Sequence, residues 1–326
     1  MRAWTVRDHG DPAEVLVLAE VPTPEPVGDQ VVVAVAACAL NFADALLCRG
    51  TYQEHPPLPF TPGLEVAGVV VAAGPTATHP VGTRVAGSTS LPHGGLAERC
   101  LARSTDVFPI PEGLDDVTAA AMHVTYQTAW FALHRRAALS AGETLLVHAA
   151  AGGTGSAAVQ LGVVAGATVV ATAGGAEKLE RCRRLGAQVV VDHRTQDFVA
   201  VVNELTDGRG ADVVFDPVGG DTFTRSTRCI AWEGRLLVVG AAGGSYGDVR
   251  ANHVMVKNYS VVGVHWGGYR TRHPDLVAAA QAELVALAVE GRITPLVTRR
   301  VPLEGARDAL GDLVAGGTTG KVVVVP

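Results

Sequence analysis

Aromatic residues are scarce in this sequence, at 5% of 326 residues, and charged residues make up only 18%. So few rings argue against a surface that stacks nucleic-acid bases. The formal charge of −6 advertises no basic patch for a phosphate backbone or an anionic membrane. Cysteine is sparse too: Cys38, Cys48, Cys100, Cys182 and Cys229 stand singly with no C-x-x-C pair, and an odd number cannot close completely into intrachain disulfides. A reducing compartment fits. The first residues, Met1-Arg2-Ala3-Trp4-Thr5-Val6-Arg7-Asp8, carry charge where a signal peptide needs its apolar core, which points to the cytoplasm.

What is abundant is small and apolar. Hydrophobic residues reach 48%, with 38 glycines, and the length suits two domains at about 150 residues each. From Thr144 to Ala176 there is no Lys, Arg, Asp or Glu, long enough on that count alone for a membrane helix. Seven glycines interrupt the run, and its valine-containing ends read as strands, so a buried strand–helix–strand unit accounts for the missing charge.

The first 120 or so residues read as short strands joined by Pro and Gly, with apolar runs at Val31–Cys38 and Val66–Ala73. An irregular, largely antiparallel β domain follows from that. Helical spacing begins around Asp115–Leu133, with Val117, Ala121, Val124 and Thr128 on one face. From Thr144 strands and helices alternate: strands at Leu145–His148, Thr168–Thr172, Gln188–Val191, Asp212–Asp216 and Arg235–Gly240, and helices at Glu177–Leu185 and Phe198–Leu205. A sixth strand at Tyr259–His265 completes a doubly wound parallel sheet. The tail holds helices at Pro274–Gly291 and Glu304–Val314 and a strand at Lys321–Val325, expected to rejoin the first domain. The division is then 1–122 with 266–326 for the β domain and 123–265 for the inserted α/β domain.

The segment Leu145–Ala158 is a strand, a glycine turn and a helix start in the order a pyrophosphate requires. Ala151, Gly152, Gly153, Thr154 and Gly155 are the candidate phosphate-binding residues, with Ala150 replacing the first glycine of the G-x-G-x-x-G register. About 20 residues on, an NAD site carries an acid against the ribose 2′-hydroxyl. Here the chain reads Ala171-Thr172-Ala173-Gly174-Gly175-Ala176, with no acid to repel a 2′-phosphate. Gly174 is a candidate cofactor contact, and Lys178, His193 and Arg194 are candidate cations for a 2′-phosphate, so NADPH is expected over NADH. Gly240, Ala241 and Ala242 after the fifth strand and His265 and Trp266 after the sixth fall at strand carboxyl ends, where open α/β sheets bind ligands. Trp266 also fits a packing role.

Taken together, Asn41-Phe42-Ala43-Asp44, Gly50-Thr51-Tyr52, Pro62–Gly68, Gly82–Val85, Ala150–Gly155, Phe215-Asp216-Pro217-Val218-Gly219-Gly220 and Gly320–Val323 resemble the medium-chain dehydrogenase/reductase superfamily. The resemblance covers essentially the whole chain and is greatest to the zinc-free quinone oxidoreductase branch, the zeta-crystallin-like proteins. It implies a six-stranded Rossmann sheet inserted into a GroES-like irregular β-barrel domain. Zinc-dependent relatives carry a Gly-His-Glu motif where this chain has Gly63-Leu64-Glu65, and a four-cysteine lobe where it has only Cys100, so no zinc is expected.

The same resemblance implies that Asn41 and Tyr52 line the nicotinamide and substrate cleft and act in catalysis. Asn41 would bond the ribose or the substrate carbonyl, and Tyr52 would give a proton to a developing enolate. Their plainer alternatives are a cap for a helix starting at Phe42 and an apolar loop anchor. Thr128 and Val218 are implied cofactor contacts, and so is Lys321, although no arginine precedes its Gly-Lys pair as in some relatives. The implied reaction is hydride transfer to a quinone or another α,β-unsaturated carbonyl. Alternatives are an enoyl-thioester reductase of fatty-acid or polyketide type and a cofactor-binding protein with little turnover. Relatives pair through the edge of the dinucleotide sheet, so a homodimer is implied, with Tyr259–His265 as the edge strand.

Overall fold

The computed structural model describes residues Met1–Pro326, and the chain divides into two units. The first holds Met1–Val124, Pro274–Val289 and Thr294–Pro326, and the second holds Thr125–His273 and Glu290–Ile293.

The second unit is built on a sheet of six parallel strands. Across it run Val189–Asp192, Thr168–Ala173, Thr144–Val147, Ala211–Asp216, Ile230–Val238 and Ser260–Gly263. The charge-free run is here the central strand Thr144–Val147, the helix Gly153–Val164 and the strand Thr168–Ala173. Leu145, Leu146 and Val147 have no exposed surface, and burying each contributes about 1.5–3 kcal/mol. Burial on both faces is why the two strands of this run carry no charge; no helix of the protein is long and apolar enough to cross a membrane. The fifth strand departs from the expected Arg235–Gly240. It starts at Ile230, shifts register before Arg235, and ends at Val238, leaving Gly240–Ala242 in a loop.

The first unit has a two-stranded sheet, Arg2–Val6 with Leu16–Glu20, and a seven-stranded one. In the larger sheet Gln30–Ala39 pairs antiparallel with Glu65–Ala73, Arg99–Arg103 and the C-terminal strand Lys321–Val325. The tail thus returns to the first unit, where Leu303, Ala306, Leu310, Val322 and Val324 share one apolar core with Trp4, Val33, Val66 and Val85.

The chain passes between units at Val124/Thr125, inside the helix Asp116–Trp130, and again at His273/Pro274. The second passage lies eight residues beyond the expected one, because Trp266–His273 packs within the second unit (273 − 265 = 8). There Tyr269 packs against Phe131 in a tilted ring pair with centroids 4.4 Å apart, and Arg136 Nε donates to Gly263 O at 3.0 Å. A short apolar strand followed by Gly-Gly-Tyr carries no periodicity that announces this packing.

Candidate functional site

In the second unit the chain leaves the strand Thr144–Val147 through a turn whose left-handed residue is Ala149, at φ 47°. Ala150 N–H donates to Thr172 O at 2.9 Å, fastening the turn to the neighbouring strand. The helix then starts at Gly153 with Gly152 as its cap and no side chain on its free N–H groups. A Cβ at Gly155 would lie 2.2 Å from Ala149 O and 2.8 Å from Ala150 Cα, so glycine alone permits this close approach of helix to turn. Uncapped N–H groups at the positive end of a 12-residue helix suit a pyrophosphate. Ala151, Gly152, Gly153, Thr154 and Gly155 all lie in this cradle. The position sequence reasoning missed is Ala149, since a positive φ on alanine leaves no compositional signal.

His148, just before the turn, is buried and satisfied, with Nδ1 3.0 Å from Thr172 Oγ1 and Nε2 2.9 Å from Ser226 Oγ. Burial pushes its pKa down to about 3. It is a neutral core residue.

Gly174, His193 and Arg194 come together. A Cβ at Gly174 would sit 2.7 Å from Arg194 Nε and 3.0 Å from His193 Nε2, so both side chains lean over the glycine. Both are exposed, and the Arg194 guanidinium makes no hydrogen bond or ion pair with the protein. Lys178 is half-buried in the first turn of the adjoining helix Ala176–Arg184. The organiser of this corner, missed by sequence reasoning, is Asp192: its Oδ2 accepts from Gly175 N–H at 3.1 Å and its Oδ1 from Arg194 N–H at 3.0 Å. It ends the third strand, not the second, where an NAD site carries its acid. Both of its oxygens take backbone N–H bonds, so the Arg194 guanidinium is left to meet an anion.

A second cluster forms where the loops after the fourth and fifth strands interlock. Ala242 N–H donates to Pro217 O at 3.0 Å and Gly243 N–H to Val218 O at 2.8 Å, bringing Val218, Gly240, Ala241 and Ala242 together. Asp216 holds the first loop, its Oδ1 accepting from Val218 N–H at 2.7 Å and Gly219 N–H at 3.1 Å, and burial raises its pKa. Trp266 is buried and caps the short helix Gly267–Arg272, and His265 beside it is exposed. Thr128 lies half-buried on the helix Asp116–Trp130.

In the first unit Asn41 does precede a helix, Phe42–Cys48. Asn41 caps it in a reciprocal capping box with Asp44, whose carboxylate takes Asn41 N–H at 2.8 Å on Oδ2, and Gly63 and Leu64 N–H at 3.0 Å each on Oδ1. Burial raises Asp44 to about 6, outweighing those donors and the charge of Lys321. The Asn41 side chain also reaches Glu65 and Lys321. Nδ2 donates to Ala39 O and Glu65 Oε1, and Oδ1 accepts from Lys321 Nζ at 2.8 Å. Lys321 also donates to Leu40 O at 2.8 Å and pairs with Glu65, whose Oε2 takes Val124 N–H at 2.7 Å. All three ammonium protons are used by protein oxygens, so Lys321 has none left to give a cofactor, contrary to expectation. No local pattern signals this, because Lys321 lies 280 residues from Asn41. Tyr52 is half-buried against the core of this unit.

The donors present do not fit a zinc ion. No three His, Cys, Asp or Glu side chains converge, and Glu65 is paired with an ammonium. Burial, and after it the charge of Asp44, holds the Cys38 thiol well above its ordinary range.

Residues 28–112 match the alcohol dehydrogenase GroES-like domain, and residues 153–282 match the zinc-binding dehydrogenase family. The chain is 40% identical over 312 residues to the Bos taurus quinone oxidoreductase-like protein 2, covering 95% of this chain and 88% of that one. It is 32% identical to the Homo sapiens quinone oxidoreductase, covering 100% and 98%. Among solved structures it is similar to the Escherichia coli quinone oxidoreductase complexed with NADPH, with a TM-score of 0.93, 29% identity and full coverage of both chains.

Proposed function

This chain belongs to the quinone oxidoreductase-like proteins of the medium-chain dehydrogenase/reductase superfamily, and from that premise we propose that it is an NADPH-dependent reductase of quinones or other α,β-unsaturated carbonyls that works without zinc. The observation that carries the proposal is the corner at Gly174, where His193 and Arg194 lean over a glycine and the Arg194 guanidinium is not paired with an acid. A 2′-phosphate is the anion such a corner distinguishes from a ribose hydroxyl.

When bound, NADPH supplies a hydride. The chain's part begins with the N–H groups of Gly153–Gly155, which stabilise the pyrophosphate, while Arg194, His193 and Lys178 take the 2′-phosphate. Val218 and Gly240–Ala242 line the cofactor with small groups and backbone. A conjugated acceptor is already electrophilic at carbon, so positioning supplies most of what the reaction needs and a Lewis acid is dispensable. Tyr52 Oη gives a proton to the developing enolate or phenolate oxygen. Five buried, unpaired thiols support a reducing compartment. The edge strand Ser260–Gly263, with Val261 41% exposed, supports pairing into a homodimer.

The test is consumption of NADPH, and separately of NADH, against 1,4-benzoquinone, 9,10-phenanthrenequinone, a simple enone and crotonyl-coenzyme A. Preferential use of NADPH with a quinone or enone is expected. Use of crotonyl-coenzyme A alone selects the thioester reductase, and NADPH binding with no oxidation selects the binding protein. Tyr52→Phe lowers turnover several-fold while leaving the NADPH Kd unchanged; undiminished turnover removes Tyr52 from the mechanism.

A further inference from the structure

The His–Arg pair over Gly174 has a counterpart at the far edge of the same sheet. A Cβ at Gly268 would sit 2.8 Å from Arg272 Nη1 and 3.1 Å from His265 Nδ1, so an arginine and a histidine again converge over a glycine. Both side chains are exposed. Arg272 Nη1 donates to Gly268 O at 3.3 Å, and neither Arg272 nor His265 is paired with an acid. A guanidinium has five N–H donors, so most of this one is unused.

The surrounding segments offer no carboxylate. Thr125–Leu139 and Tyr259–His273 pack on each other where Phe131 meets Tyr269 and where Arg136 meets Gly263. Together they hold four arginines and three histidines but no Asp, Glu or Lys, in a chain whose net charge is −6. A concentration of one sign on a chain of the other draws an anion to this face.

The phosphates of NADPH are all met elsewhere in this unit. The pyrophosphate cradle follows the strand Thr144–Val147, and the 2′-phosphate corner follows Thr168–Ala173 and Val189–Asp192. Gly268 follows Ser260–Gly263, which lies four strand spacings, about 20 Å, from Thr168–Ala173. One cofactor phosphate cannot serve both corners.

We propose that Arg272 and His265 form a second phosphate site that serves the acceptor and not the cofactor, so that the preferred acceptor is a conjugated carbonyl carrying a phosphate ester, as an enoyl thioester of coenzyme A or of phosphopantetheine does. This rests on the reading of the chain as an NADPH-dependent reductase and narrows its acceptor. The oxygens of one phosphate can take N–H groups from the guanidinium and the imidazole together, as at Gly174. Held at that end, the substrate gains binding energy from a part that does not react. Quinones and simple enones lack the phosphate and are used with a higher KM.

The experiment compares three thioesters of one crotonyl group, with NADPH saturating. The N-acetylcysteamine thioester has no phosphate, the phosphopantetheine thioester has one, and coenzyme A has three. In the wild-type protein KM for crotonyl-coenzyme A is expected about tenfold below that for the N-acetylcysteamine thioester, and in Arg272→Gln the ratio falls to about one. Arg135→Gln removes the same charge from another exposed, unpaired arginine of this acid-free face and should leave the ratio at its wild-type value. Equal losses in the two variants mean a diffuse field in place of a site and overturn the proposal. The phosphopantetheine thioester separates the two sources of phosphate. If it shares the advantage and loses it in Arg272→Gln, the phosphate beside the pantetheine arm is the one held; if only coenzyme A responds, it is a phosphate of the nucleotide, and either result supports the site. NADPH oxidised by a quinone or an enone, with crotonyl-coenzyme A no better than the N-acetylcysteamine thioester or Arg272→Gln without effect, defeats this proposal alone. NADPH oxidised by no acceptor defeats the reductase reading and this proposal together.

Discussion

Lys321 and Arg194 are both cations beside a strand end, one opening the C-terminal strand of the first unit and the other following the third strand of the second. Lys321 is 3% exposed and its three protons are held by Leu40, Asn41 and Glu65. The Arg194 side chain is exposed and has no protein partner, while its backbone N–H is fixed by Asp192. The difference is a matter of remaining capacity. A cation whose hydrogen bonds are satisfied internally sets the shape of a site, whereas one held by its backbone with its side chain unpaired is ready for an anion.

The contrast breaks most violently at Lys321. Replacing it alone by Met leaves the Glu65 carboxylate buried beside the Asn41 amide without a cation, at a cost of about 3–5 kcal/mol in urea unfolding. If Lys321→Met unfolds at the wild-type urea concentration, the buried pair has no structural weight. Next comes Gly155→Val, whose added atoms begin 2.2 Å from Ala149 O and must push helix and turn apart. Overpacking of that kind costs about 1–3 kcal/mol and should weaken NADPH and NADH binding alike, by roughly 10- to 100-fold in titration. Arg194→Ala sharpens the comparison, because an unpaired cation can be removed without leaving a buried charge behind. Stability should stay within about 0.5 kcal/mol of wild type while NADPH binding falls about tenfold and NADH binding holds. Equal loss for both nucleotides would remove Arg194 from 2′-phosphate recognition.

The smallest effect is a pair of opposed pH slopes in the two units. Asp44 is raised from 3.8 to about 6, so between those values the folded state keeps a proton the unfolded chain has released, and stability of the first unit rises as the pH falls through 6. His148 is lowered from 6.5 to about 3, so between those values the unfolded chain takes up a proton the folded state refuses, and stability of the second unit falls as the pH drops below 6.5. Amide hydrogen exchange at pH 7 and pH 5 should separate the trends, with Asp44→Asn abolishing the first and His148→Gln the second. Parallel slopes in both units would contradict the two burial effects.

Much of the dinucleotide unit is legible in the sequence because its signals are local. The run from Thr144 to Ala176 has its strand, turn and helix in consecutive order, and Gly152 and Gly155 fall where the backbone must approach itself. Gly174, His193 and Arg194 can be read as a group because two neighbouring parallel strands end there. Less visible are Ala149, whose left-handed backbone has no residue-type signature, and Asp192, which reaches Gly175 from another strand. The packing of Trp266–His273 within the second unit is hidden for the same reason, since Tyr269 meets Phe131 across a long stretch of chain.

In the first unit, composition alone determined that apolar strands such as Val31–Cys38 and Val66–Ala73 would form a β core, because hydrophobic burial needs only the run of side chains. Only the tertiary structure decided what Asn41 and Lys321 do. Lys321 lies 256 residues from Glu65 and 280 from Asn41, and their meeting depends on the C-terminal strand adding to the edge of Gln30–Ala39. A polar residue's chemistry is set by which of its donors and acceptors are already satisfied, and that is a property of distant neighbours brought together by folding, which no local pattern encodes.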